Sequence, residues 1–118
     1  MHHYDSKHYI VSDDSDAHGL TIRLDHGRAF CSFSDDELDV MLAPIRQCCT
    51  LRKETYDVLR GFARGVLARR WRKAMATDPL APVMAENWFF AIERRLQKIL
   101  ELVDECAKVN NGIEHVLV

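Results

Sequence analysis

The sequence predicts a mainly α-helical chain with a small N-terminal β-hairpin. The expected α+β arrangement has two long antiparallel helices and one short one, assembled as a homodimer. Three observations carry this expectation. Phe89, Ile92, Leu96, Ile99, Val103 and Cys106 recur at alternating spacings of three and four, the rhythm of a helix packed along another helix. A proline-free run from Ile45 to Ala76 repeats apolar residues at Tyr56, Leu59, Phe62, Ala63, Val66, Leu67 and Ala74, again one helical face. Two alternating runs, Leu20-Thr21-Ile22-Arg23-Leu24 and Ala29-Phe30-Cys31-Ser32-Phe33, flank Asp25-His26-Gly27-Arg28, where Gly27 supplies the positive φ of a tight turn.

The elements are ordered along a single domain, residues 1–118. Residues 1–8 are polar and expected as a mobile tail, Tyr9-Ile10-Val11 can begin a short strand, and the hairpin occupies residues 18–33. Ser34-Asp35-Asp36-Glu37 has the capping-box pattern, so the helical region should begin there and extend over residues 34–109. Pro44 should end or kink the first helix, and Thr50 is placed to interrupt the second near its start. Thr77-Asp78-Pro79-Leu80-Ala81-Pro82 reads as a linker, because each proline restrains itself and the residue before it. The last helix should run from about Val83 to Val109 and stop at Asn110-Asn111-Gly112, residue types that tolerate the left-handed conformation. The apolar tail at residues 110–118 either docks on the core or adds a strand to the hairpin.

Charge is segregated within a net of −2: residues 1–39 sum to −6, residues 40–77 to +7 and residues 78–118 to −3. A basic middle between acidic ends marks either a surface for an anionic partner or neutralisation within the fold. Without a signal-peptide layout or an apolar run long enough to span a bilayer, a cytoplasmic setting is the expectation. Cys31, Cys48, Cys49 and Cys106 show no C-x-x-C spacing and are expected as thiols, a vicinal Cys48–Cys49 ring being strained. His2, His3 and His8 beside Asp5 lack a preformed scaffold, so no metal and no cofactor is expected. No histidine stands near a cysteine, and Asp35-Asp36-Glu37 is explained by helix capping, so no catalytic residue is assigned and the chain is not expected to be an enzyme.

What remains is surface. Phe90 and Arg94 project from the polar side of the last helix, an aromatic beside an arginine of the kind enriched at contact cores. Lys53, Arg60, Arg64 and Trp71 form a strip beside the apolar face of the middle helix, with Arg69, Arg70, Arg72 and Lys73 crowding its end. Nucleic-acid binding through this Arg60–Lys73 helix is the alternative to protein binding, disfavoured by the acidic total and the missing helix–turn–helix pair. Gly61 and Gly65 cost helix stability, which points to a close approach by a partner, and the Phe89–Cys106 stripe needs more cover than one copy provides.

An acidic N-terminal region, a hairpin, and long helices interrupted by Thr77-Asp78-Pro79-Leu80-Ala81-Pro82 before Trp88-Phe89-Phe90 together resemble the QslA-like quorum-sensing anti-activators of pseudomonads. The resemblance implies a non-enzymatic bacterial dimer that binds the ligand-binding domain of the LuxR-type activator LasR. It would occupy that activator's dimerisation surface and so keep it from DNA, a role in transcription regulation.

Overall fold

The computed structural model describes the backbone of residues 9–11 and 21–23 and the whole of residues 32–118. The chain groups into two units, Met1–Cys31 and Ser32–Val118. In the first, β1 (Tyr9–Val11) pairs antiparallel with β2 (Thr21–Arg23), Ile10 lying opposite Ile22. The β-branched residues of both segments suit a pleated surface. This corrects the hairpin expected over residues 18–33, in which Leu20–Leu24 would pair with Ala29–Phe33. Phe33 and Ser34 form a bend, and the carbonyls of Ser32 and Phe33 accept hydrogen bonds from Arg95 and Arg94 instead of a ladder partner. The rest of that second strand, the turn at residues 25–28 and the tail at residues 1–8 lie outside the described residues.

The second unit is helical. It comprises α1 (Leu38–Met41), α2 (Ala43–Cys48), α3 (Lys53–Gly61), α4 (Val66–Met75) and α5 (Glu86–Val109), followed by a 3₁₀ turn at Ile113–His115. The capping box does not form: Glu37 sits at φ 41 and α1 starts at Leu38 without a side-chain cap. Asp36 is committed to two arginines of α5, and Asp35 accepts the Glu37 N–H at 3.1 Å. Pro44 occupies the first turn of α2, where its missing N–H costs nothing.

The long middle helix is also corrected. Cys49 (φ 46) ends α2, near the expected interruption at Thr50, and a second break at Phe62–Gly65 separates α3 from α4. Arg64 (φ 58) and Gly65 (φ 80) are both left-handed there, so Gly65 marks a helix break and not a close approach of two helices. Two long antiparallel helices are therefore replaced by one, α5, surrounded by short ones.

Phe89, Ala91, Ile92, Leu96, Val103 and Cys106 are buried along α5, and Ile99 is half-buried. The stripe is covered within one chain, by α2, α3, α4 and the 3₁₀ turn, which removes the motive for a homodimer. At its C-terminal half, Tyr56, Val103, Cys106 and Val116 form the core, flanked by Ile45, Leu51, Leu100 and Ile113. The tail docks rather than joining β1 and β2: Leu51 N–H donates to Val116 O and Val118 N–H to Leu51 O, at 2.9 and 3.0 Å. Asn111 (φ 62) and Gly112 turn the chain after α5, and Gly112 N–H returns to Ala107 O at 2.9 Å.

Cys49 and Cys106 form a disulfide across this core, 57 residues apart, where free thiols were expected; Cys48 is free and exposed. Closing a loop of that size removes about 4 kcal/mol of unfolded-state entropy, as much as burying two large apolar side chains. Cys106→Ser should therefore lower the unfolding free energy by about 2–5 kcal/mol, as should reduction of the parent. Denaturant titration with and without reductant measures it, and coincident curves would deny the bridge that role.

Candidate functional site

Two consecutive arginines on α5 organise the start of the helical unit. Arg94 donates from Nε and Nη2 to the two carboxylate oxygens of Asp36, at 2.5 and 2.7 Å, and Arg95 Nε donates to the same carboxylate at 3.0 Å. The remaining donors read the backbone. Arg94 Nη2 reaches Phe33 O at 2.7 Å, and Arg95 Nη2 reaches Ser32 O and Asp35 O at 2.7 and 3.1 Å. The Phe33 ring meets Trp88 edge-on, centroids 5.9 Å apart. A planar fork suits this task, since it binds a carboxylate bidentately and still has N–H groups for carbonyls. The Arg94 hydrogen bond holds the Asp36 carboxyl below its ordinary range against the opposing effect of desolvation, and Arg95 adds to the lowering.

One residue earlier, Glu93 caps a different helix. Its Oε2 and Oε1 accept the N–H groups of Gly65 and Ala68, at 3.0 and 2.7 Å. The residue at the cap position, Gly65, has no side chain to do this, so α5 supplies the anion that the positive end of α4 favours. Further along, Arg72 forks onto Glu86 with Nη2 2.7 Å from Oε2 and lies 4.5 Å above the Phe89 ring. These residues, with Met75, Ala81, Pro82, Val83 and Met84, line a cavity of about 390 Å³ between α4 and the start of α5.

The residues singled out from sequence are scattered by this arrangement. Phe90 is 65% exposed on α5, but Arg94 beside it is committed to Asp36. Arg60 donates to the Tyr56 hydroxyl at 2.7 Å, Arg64 lies exposed in the α3–α4 turn, and Trp71 is half-buried on α4. Sequence reasoning missed Asp36, Glu93 and Arg95. Their partners, backbone groups as well as charges, stand 25 to 63 residues away, and no local pattern announces such a pair. Among the described residues, no three His, Cys, Asp or Glu side chains converge on a metal position.

The profile of the family described as "Golgi casein kinase, C-terminal, Fam20" matches residues 1–115. An extracellular serine/threonine protein kinase of Caenorhabditis elegans, CeFam20, is 36% identical over 99% of this chain and 22% of its own length. A human glycosaminoglycan xylosylkinase is 35% identical over 97% of the chain and 27% of its own. The human pseudokinase FAM20A is 35% identical over 97% of the chain and 21% of its own. A crystal structure of the Golgi casein kinase with Mn/ADP bound superposes with a TM-score of 0.72 at 36% identity, over 85% of this chain and 24% of that one. The chain thus spans about a fifth to a quarter of the length of these relatives.

These findings overturn the QslA-like resemblance and what hung from it. The relatives are animal proteins with kinase names, not bacterial anti-activators, and nothing among them points to a LuxR-type partner, transcription regulation or nucleic-acid binding by the Arg60–Lys73 helix. The expectation of a non-enzyme is overturned by the same names and by the nucleotide-bound structure. A cytoplasmic setting conflicts with relatives called extracellular and Golgi kinases, and the Cys49–Cys106 disulfide also belongs to an oxidising compartment.

Because the folded-state pKa of Asp36 is depressed, its contribution to stability is present above the ordinary carboxylate value and is lost as pH falls through the folded value. Asp36→Asn should cost about 1–2 kcal/mol at neutral pH, discounted for the exposure of Arg94. Urea titrations should show the gap between parent and variant closing below about pH 4. A gap of constant size down to pH 2 would show that the carboxylate charge contributes nothing.

Proposed function

The chain belongs to the Fam20 family, and from that premise we propose that it is part of a phosphotransferase working outside the cytosol, which passes the terminal phosphoryl group of a nucleoside triphosphate to an acceptor hydroxyl. The observation that carries the reading is the family match across residues 1–115. Asp25-His26-Gly27 supports it, since it repeats the D-x-G spacing of the kinase segment whose aspartate holds a divalent cation against the nucleotide phosphates. A carboxylate oxygen is the donor type that Mg²⁺ and Mn²⁺ take, so Asp25 fits such an ion. When bound, the ion would neutralise charge on the phosphates during transfer.

The chain's own residues contribute scaffolding to this reading. From Ser32 to Asp36 the chain is tied to α5 by Arg94 and Arg95. Phosphoryl transfer is governed by positioning and by preorganised charge, and this tie is a source of rigidity within the helical unit. Relatives named for protein and for glycosaminoglycan substrates are about equally similar, and both acceptor classes belong in the test.

The whole protein containing this chain should transfer labelled phosphate from ATP, with Mn²⁺ or Mg²⁺, to casein or to a xylose-terminated glycan. Asp25→Asn should reduce the rate about a hundredfold or more while leaving the unfolding midpoint unchanged. Nucleotide binding without transfer to either acceptor would class the chain with the pseudokinases. An Asp25→Asn protein of undiminished activity would refute the assignment of Asp25.

A further inference from the structure

Between Val58 and Thr77 the chain carries six basic residues and no acid. Three of the six have partners within the unit: Arg72 is paired with Glu86, Arg60 bonds the Tyr56 hydroxyl, and Arg70 stacks 5.4 Å above the Phe62 ring. The Arg70 contact is with an aromatic ring and engages no carboxylate. Arg64, Arg69 and Lys73 are exposed and have no ion-pair partner among the described residues. Arg69 and Lys73 stand four residues apart on one face of α4, a like-charge arrangement that disfavours the helix unless an anion neutralises it.

The orientation of that face is fixed from behind. Ala68 is buried, Trp71 and Arg72 are half-buried, and Glu93 accepts two hydrogen bonds at the N-terminal end, so Arg69, Arg70 and Lys73 are presented outward. A preorganised row of cations loses little entropy on meeting a polyanion.

We propose that Arg64, Arg69, Arg70 and Lys73 form a docking surface for a sulfated glycosaminoglycan chain, separate from phosphoryl transfer and not dependent on it. The run Arg69-Arg70-Trp71-Arg72-Lys73 is a short basic segment of the kind that serves heparin or nucleic acid. The Cys49–Cys106 disulfide selects between the two, because it persists in oxidising compartments, where the linear polyanion to be met is a sulfated polysaccharide. A membrane surface fits less well. Among the described residues the exposed large apolar side chains are Phe33, Val58, Leu80, Val83, Phe90, Val109 and Val118, none of them between Leu59 and Pro79, so the face lacks the apolar half of a helix that lies in a bilayer interface.

The test is binding of a labelled heparin dodecasaccharide to the 118-residue chain, monitored by fluorescence polarisation across a series of salt concentrations. The double variant Arg69→Ala/Lys73→Ala should bind at least about tenfold more weakly near 0.15 M salt, and the slope of log Kd against log salt should fall by about two. Lys98→Ala/Lys108→Ala removes the same charge elsewhere and should change affinity by less than about twofold, because counterion release depends on contacts and not on net charge. Equal weakening by both double variants would reduce the effect to general attraction and overturn the site. Undiminished binding of fully desulfated heparin would overturn the ligand class, as would tight binding to phosphatidylserine vesicles with none to heparin. Circular dichroism of both variants separates loss of binding from loss of fold.

Discussion

Burial of one face of α5 is the constraint on which the helical unit depends. A 24-residue helix with Phe89, Ile92, Leu96, Val103 and Cys106 on one side must be covered. The helices that cover it are all too short to persist alone: α2 has 6 residues, α3 has 9 and α4 has 10. Each owes its helicity to the surface that α5 offers. The C-terminal half of α5 gathers α2, α3 and the tail around Val103 and Val116, and the N-terminal half takes α4.

Charge then fixes what burial leaves free. Apolar contact is non-directional, so it can hold a helix against α5 without fixing how the helix slides or turns. Glu86, Glu93, Arg94 and Arg95 supply the direction, engaging Arg72 of α4, the free amides at the start of α4, and the bend at residues 32–36. Because Asp36 is mostly shielded while Arg94 is partly solvated, the carboxylate gains two cations without a full desolvation penalty on both sides.

Local signals in the sequence were legible where local physics decides. The α5 stripe, its stop at Asn110-Asn111-Gly112 and the break near Thr50 arise from periodicity and turn chemistry. Reading failed where distant residues decide. The Ser34–Glu37 pattern promised a cap, but Asp36 is drawn to Arg94 and Arg95, about sixty residues away. The middle helix showed an unbroken apolar face, yet it breaks at Arg64 and Gly65, where Glu93 caps the helix that follows. The disulfide joins cysteines whose spacing carries no motif. Most instructive is Asp25-His26-Gly27. An aspartate, a polar residue and a glycine between apolar runs satisfy the rule for a tight turn as well as the rule for a kinase cation segment, and turn chemistry alone does not separate them.

The Cys49–Cys106 bond also changes the topology of the chain, because α3, α4 and most of α5 lie inside a covalent ring. The exposed connection from Ala76 to Ala85, with Leu80 at its tip, is part of that ring. A single backbone cut there opens the circle without releasing either piece, since the bridge still joins the N-terminal fragment to the C-terminal one. A nicked molecule would therefore keep its mass until a reductant reached Cys49 and Cys106, which lie in the core that the ring encloses.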